Sequence, residues 1–307
     1  MERNRMDILV FGGTRFFGVS LVEKLLENGH EVTIATRGLT KDHFGDRVKR
    51  LTVDRCDAGS LSPVFEKKEY DCIVDNICYA SNDVKKLLDV AKCKRYILTS
   101  TMSVYPITNF RMDMKEEDFD PLLHPLKWYE RQDAPYDEIK RQAEAALFQV
   151  YSDKNAAAVR FPYVIGKEDY TKRLYFYVEH VLKQIPMDID NLQEKMSFIQ
   201  AKEAGEFLAW LAESSETGYF NAANEGTITL EEILFYIEKK SGKKAVIGKE
   251  GERAPYNGTP AYSINTDKIQ KAGFHFKELK DFLPEILDFY MEKCLHFEND
   301  GAILTKN

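Results

Sequence analysis

Ile8-Leu9-Val10-Phe11-Gly12-Gly13-Thr14-Arg15-Phe16-Phe17-Gly18 is a short apolar run, a glycine-rich turn and the start of an amphipathic stretch that continues from Val19 to Leu26. Four consecutive apolar residues bounded by glycine read as a strand buried on both faces. Glycines let a backbone approach a ligand closely, and the helix that follows offers free N–H groups and the positive end of its dipole. That is the chemistry of a pyrophosphate cradle. A glycine turn by itself also serves as a simple tight turn, so its weight comes from its place at the first strand of a series. On this reading Gly12, Gly13, Thr14, Arg15, Phe16, Phe17 and Gly18 are expected to hold a dinucleotide.

The series is present. Further short apolar runs follow at Val32 to Ala35, Arg50 to Val53, Cys72 to Val74, Tyr96 to Leu98 and Ala156 to Arg160, with helical patterns such as Val84 to Ala91 between several of them. This βαβ rhythm predicts an α/β fold with a doubly wound parallel sheet. Right-handed crossovers bring the strand C-terminal ends to one edge, where such sheets bind ligands, and Gly12, Arg37, Asp57, Asn76 and Thr101 all fall near those ends. After Phe161-Pro162 the rhythm breaks. Residues 1–165 are therefore assigned to the nucleotide-binding domain and 166–307 mainly to a smaller C-terminal substrate lobe, with 197–222 returning to the first. In that second part Lys202 to Glu213 reads as a helix and Tyr219-Phe220 as a strand. Thr229 caps another helix, with Glu232 three residues on and Leu230, Ile233, Leu234 and Ile237 as its apolar face.

An acidic residue about 20 positions after the last glycine binds the adenosine ribose, whereas an arginine suits a 2′-phosphate. Arg37 occupies that place, and Arg15 within the turn can close on the same phosphate. NADP is favoured over NAD, which stays open. Asp57, after the third strand, either meets the adenine amino group or caps the next helix.

Arg95 to Tyr105 reads as a strand that ends in Thr99-Ser100-Thr101, followed by a long polar loop and by Tyr136-Asp137-Glu138-Ile139-Lys140, which opens a helix. Residues four apart share a helix face, so Lys140 can lie beside the Tyr136 phenol and lower its pKa, as a general base requires. The same spacing occurs at Tyr163/Lys167 and Tyr236/Lys240, without the upstream hydroxyl-bearing strand. Thr101, Tyr136 and Lys140 are the candidate catalytic set.

With these blocks in order the chain resembles the extended short-chain dehydrogenase/reductase family, the NAD(P)-dependent epimerases and dehydratases of sugar nucleotides, which have a Rossmann-type fold. The resemblance includes the glycine turn, Asp57, Thr99 to Tyr105, Tyr136/Lys140, Arg160 to Gly166, Phe198-Ile199-Gln200, Phe220-Asn221 and Pro260 to Lys268. It implies that Thr101 takes the place of the catalytic hydroxyl, Tyr136 of the base and Lys140 of the ribose-binding lysine, while Pro162 borders the nicotinamide. Four places depart from the family. Arg15 replaces the middle glycine, and Met102-Ser103 replaces the acidic pair of the dehydratases, which disfavours elimination of water. Met196-Ser197 replaces the Arg-Asp that helps hold a nucleotide diphosphate, leaving Arg253 as the substrate-phosphate candidate. Asn76-Ile77-Cys78-Tyr79 replaces a small-residue stretch beside the cofactor.

The expected activity is an NAD(P)-dependent epimerase or reductase acting by hydride transfer on a sugar nucleotide or related hydroxyl or keto substrate. The alternative is a non-catalytic cofactor-binding protein with a regulatory or RNA-binding role, similar to the chloroplast stem-loop-binding proteins. The formal charge of -7 over 307 residues argues against nucleic acid and membrane surfaces as main partners. Five scattered cysteines without a Cys-x-x-Cys pair suit a reducing compartment. No run reads as a signal-peptide core or a membrane span, and a cytoplasmic location is expected. The six histidines show no metal-ligand spacing, so no metal is expected. The family also implies a homodimer through helices at Asn82–Lys92 and Asp137–Tyr151, with Ile139, Ala143, Ala146, Leu147 and Val150 as an apolar stripe shared between the sheet and a partner.

Overall fold

The computed structural model describes residues 5–66 and 68–304. Met1 to Asn4, part of the N-terminal stretch from which the absence of a signal core is read, lie outside the described residues. In chain order the elements are β1 (Asp7–Phe11), α1 (Phe17–Glu27), β2 (Glu31–Thr36), β3 (Lys49–Thr52), α2 (Ala58–Glu66), β4 (Cys72–Asp75), α3 (Ser81–Leu88), β5 (Tyr96–Thr101) and α4 (Tyr136–Val150). They continue with β6 (Ala156–Phe161), β7 (Tyr163–Ile165), α5 (Arg173–Lys183), β8 (Met187–Asp188), β9 (Phe198–Gln200), α6 (Ala201–Glu213), β10 (Gly218–Asn221), α7 (Leu230–Ser241), β11 (Glu252–Arg253), α8 (Asp267–Lys271) and α9 (Leu279–Leu304).

The apolar runs form one parallel sheet in the order β10-β6-β5-β4-β1-β2-β3, the doubly wound arrangement expected. Its strand order reverses at β1, which opens a crevice above the carboxyl ends of β1 and β4. One face is covered by a cluster that joins Leu21, Val22 and Leu25 of α1 to Phe207, Leu208 and Leu211 of α6. The other carries Leu61 of α2, Val84 and Leu87 of α3, and Ala143, Ala146 and Leu147 of α4. A third cluster lies in the later part of the chain, where Leu174, Val178 and Val181 of α5 meet Ile233 and Ile237 of α7 and Leu283 and Ile286 of α9. The capping box at Thr229 is formed, since Glu232 N–H donates to Thr229 Oγ1 at 3.1 Å and Thr229 N–H to Glu232 Oε2 at 2.8 Å. α3 starts three residues before the predicted pattern because Asp83 accepts the N–H groups of Tyr79 and Ala80 and caps it there. Among the described residues no helix is long and apolar enough to cross a membrane.

β5 and β6 pair with Ser100 opposite Arg160 and Thr101 opposite Phe161. Behind that pair Arg160 and Glu144 of α4 form an ion pair at 2.6 Å, both side chains fully buried. Ser100 Oγ donates to the same carboxylate, and the remaining guanidinium N–H groups reach Tyr105 Oη at 3.1 Å, Glu116 O at 2.8 Å and Phe119 O at 3.0 Å. Strand, strand, helix and the loop after β5 are thus fastened at one point.

The apolar stripe of α4 is a correction to the assembly expectation. Ile139, Ala143, Ala146 and Leu147 are all buried within the single chain, and only Val150 is left open, at 48% exposure. The outer edges of α3 and α4 are crossed by the segment 121–130. Gln149 donates to Pro121 O and His124 O, Lys127 N–H to Gln142 Oε1, Ser81 Oγ to Lys127 O, and Lys86 pairs with Glu130.

Removing one partner of a buried ion pair leaves an uncompensated charge, so Arg160→Met should cost about 3–5 kcal/mol in urea unfolding. A loss below about 1 kcal/mol would mean that the pair is not what fastens α4 to the sheet.

Candidate active site

The crevice at the carboxyl edge is a cavity of roughly 860 Å³, lined from Gly12, Thr14, Arg15, Phe16 and Phe17 at one side to Thr101, Tyr136, Lys140 and Pro162 at the other. That volume suits a cofactor together with part of a substrate. Gly12 turns the chain at φ 76°, and a Cβ on Gly18 would lie 2.1 Å from Gly12 O. The turn therefore closes directly onto the first turn of α1, as close backbone approach to a pyrophosphate requires. Gly13 and Gly18 stand behind the lining and serve this packing. Phe16, at φ 52°, holds a conformation that costs a non-glycine residue energy.

Arg15 and Arg37 both line the cavity, both are exposed, and among the described residues neither has an ion-pair partner. Asn76 also lines it, accepting from Thr99 Oγ1 at 2.7 Å. Asp57 does not. It is exposed and accepts the Gly59 N–H at 2.9 Å at the start of α2, the capping alternative. The acid in the lining is Asp54, which lies closer to the end of β3. Arg55 beside it is buried and donates to Asp75 at 2.8 and 2.6 Å, and Tyr96 Oη donates to the same oxygen at 3.1 Å.

At the other end, Tyr136 is the first residue of α4 and half exposed to the cavity, at 49%. It lines the same wall as Thr101, whose hydroxyl donates to Ser103 Oγ at 3.3 Å. Thr101 Oγ1 also accepts the Ser103 N–H at 3.2 Å, which fixes the hydroxyl at the strand end. Lys140 is buried and donates to Cys78 O at 2.8 Å and Thr99 O at 2.7 Å, with the Tyr79 ring 5.4 Å away. The expectation that its ammonium lowers the Tyr136 pKa is not what the geometry gives. Burial pushes the phenol above its ordinary value, partly offset by the neighbouring Thr101 hydroxyl and by the charge of Arg173. Burial likewise lowers the Lys140 pKa. The other two Tyr-Lys spacings are structural, since Lys167 pairs with Glu285 and both Tyr236 and Lys240 bind Asp288.

Arg253 is a second correction. It lies on β11 outside the cavity lining, its side chain 71% exposed and 4.0 Å from Asp190. Met196 and Ser197 are buried and away from the lining. The cavity instead presents Arg131 and Arg173, neither singled out by the sequence. Arg131 donates to Asp83 and to Ile77 O and sits 4.6 Å from the Tyr79 ring. Asp54 had a signal in its adjacency to the strand end; the two arginines come from loop and helix-start positions that no local pattern marks.

The model of the NAD dependent epimerase/dehydratase family matches residues 8–223. UDP-glucuronic acid decarboxylase 1 of Arabidopsis thaliana is 25% identical over 97% of this chain and 73% of its own length. The chloroplast stem-loop binding protein of 41 kDa b from the same plant is 28% identical, over 37% of this chain and 34% of its own length. Among solved structures, UDP-glucose 4-epimerase of Thermotoga maritima with UDP-glucose superimposes with a TM-score of 0.76 at 16% identity, covering 94% of this chain and 99% of that one. That likeness is one of fold.

The capping role assigns a separable effect to Asp57. Asp57→Ala should lower stability by about 1 kcal/mol and leave dinucleotide affinity unchanged in a calorimetric titration. A clear loss of affinity would return Asp57 to the cofactor site in place of Asp54.

Proposed function

The chain belongs to the NAD dependent epimerase/dehydratase family, and from that premise we propose that it catalyses epimerisation or reduction of a nucleotide sugar or related hydroxyl or keto substrate. The reading rests on one observation above all: the Thr101 hydroxyl, the Tyr136 phenol and the Lys140 ammonium line the same cavity that the glycine turn opens. Residues 166–307, apart from 197–222, which return to the sheet, would contribute the substrate lobe. The similarity to a UDP-glucuronic acid decarboxylase and the fold of a UDP-glucose 4-epimerase support a nucleotide sugar as substrate.

Gly12 to Gly18, Arg37, Asp54, Asn76 and Pro162 are positioned to hold the dinucleotide along the crevice. When bound, a nicotinamide dinucleotide supplies the acceptor and donor of the hydride. Thr101 holds the reacting oxygen of the substrate, and Tyr136 takes or returns its proton. Burial disfavours the charged form of the phenol, and the charge of Arg173 partly offsets this. The phenol gives its proton to a keto substrate as an acid, and removing a proton from a hydroxyl substrate as a base calls for positive charge beside it. Lys140, fixed by two carbonyls at the back of the site, is placed to donate to ribose hydroxyls, while Arg173 is the cation whose charge acts on the phenol. Met102 and Ser103 beside Thr101 carry no carboxylate, and Asp54 is the acidic residue among the described lining, so loss of water has no acid-base pair at the reacting end.

Against a panel of nucleotide sugars Tyr136→Phe should retain cofactor affinity and lose roughly two to four orders of magnitude in rate. Turnover equal to wild type would remove Tyr136 from the chemistry. With Arg15 and Arg37 unpaired at the dinucleotide end, titration should give tighter binding of NADP than NAD, and Arg37→Asp should level or reverse the preference. Equal affinities in the wild type would mean that Arg37 faces solvent when the cofactor binds.

A further inference from the structure

The cavity contains six guanidinium or ammonium groups, from Arg15, Arg37, Arg55, Arg131, Lys140 and Arg173. Arg55 is spent on Asp75, Arg131 on Asp83 and Ile77 O, and Lys140 on two backbone carbonyls. Among the described residues Arg15 and Arg37 have no ion-pair partner, and they belong to the β1 and β2 edge where the dinucleotide phosphates are expected. At the Tyr136 end, Arg173 has no ion pair and no hydrogen bond among the described residues, and its charge acts on the phenol.

We propose that Arg173 binds an anionic group of the substrate, the role expected of Arg253. The proposal rests on the reading of this cavity as a nucleotide-sugar site and names the contact that would recognise such a ligand. A free guanidinium presents a planar fork of N–H donors that matches the oxygens of phosphate or carboxylate in a bidentate manner. The Arg173 fork is held before any ligand arrives, because it lies 5.6 Å over the Tyr163 ring. Tyr163 is fixed in turn by a 2.9 Å hydrogen bond to Thr259 and by packing on Tyr256 at 4.7 Å. Less side-chain freedom is then lost on binding. Arg173 is also the first residue of α5, an 11-residue helix without an acid in its first turn, and Tyr170 and Thr171 just before it line the same wall. The helix dipole therefore adds to the positive potential there.

The anion has two possible sources in a nucleotide sugar, the diphosphate and an acidic group on the sugar, and one experiment separates them. Cofactor-loaded wild type, Arg173→Met, Arg173→Lys and Arg253→Met are titrated with inorganic pyrophosphate, UDP-glucose, UDP-glucuronate and glucuronate. Arg173→Met should weaken binding about 10- to 100-fold, the size expected for lost charge-assisted hydrogen bonds. Arg173→Lys should recover part of the loss, and cofactor affinity should stay the same, which shows that the fold is intact. Equal losses for pyrophosphate and both UDP-sugars assign the diphosphate to Arg173; losses confined to UDP-glucuronate and glucuronate assign the carboxylate. Affinities unchanged in Arg173→Met, no anion binding by the wild type, or a loss in Arg253→Met instead would each overturn the proposal. Turnover measured in parallel keeps the two readings apart. Arg173-dependent anion binding without turnover of any nucleotide sugar sinks the reaction and leaves this assignment standing, whereas turnover with KM unchanged in Arg173→Met does the reverse.

Discussion

Everything at the reacting end of the cavity hangs on the ion pair between Glu144 and Arg160. Both groups are without solvent exposure, so each would be strongly destabilising alone. The pair is tolerated because the guanidinium donors are all engaged, by Glu144, Tyr105, Glu116 O and Phe119 O, and Ser100 adds a donor to the carboxylate. Such a network has one good geometry. It fixes the height of α4 against β5 and β6, and with it the position of Tyr136 and Lys140 relative to Thr101 and Pro162. The loop after β5 is tied into the same point through Glu116 O and Phe119 O.

From that anchor the cavity divides by charge. At the β1 and β2 side two exposed arginines, Arg15 and Arg37, line the cavity beside the glycine turn. At the α4 side Lys140 is buried against carbonyls, and Arg173 is stacked on Tyr163 with no anion of its own. Between them stands Tyr136, whose ionisation burial disfavours and the neighbouring charge of Arg173 favours. Any group that alters positive charge beside the phenol therefore alters how readily it gives up its proton.

The sequence made the sheet legible because its central strands β1, β4 and β5 are short, largely apolar runs buried on both faces, in alternation with amphipathic helices; the edge strand β3, Lys49–Thr52, is mostly exposed and owes its place to pairing with β2. Gly12 and Gly18 were legible for the same kind of reason: backbone closeness demands a missing side chain. Where the sequence misled, the deciding contact was long-range. Lys140 shares a helix face with Tyr136, yet carbonyls of Cys78 and Thr99, far away in the chain, claim its ammonium. Ala143 and Ala146 look like a docking stripe until α3 and the sheet cover them, and Gln142 and Gln149 look like solvent-facing residues until the segment 121–130 lies across them. Asp57 follows the third strand and precedes a helix, so its place in the sequence fits an adenine contact and a cap equally, and its hydrogen bond to the Gly59 N–H is the cap. Arg173 carried no local signal, because its meaning lies in a partner that the folded chain does not provide.

The central claim is that this cavity moves a hydride between a nicotinamide and a sugar. Nucleotide sugars deuterated at the reacting carbon, incubated with the wild-type protein and oxidised cofactor, test it directly by mass spectrometry of the nicotinamide. The account predicts deuterium in the reduced cofactor, or exchange of label between cofactor and sugar, that is lost in Tyr136→Phe. A cofactor that binds tightly and stays unlabelled across the whole panel would contradict it and would leave a dinucleotide-binding protein without redox chemistry.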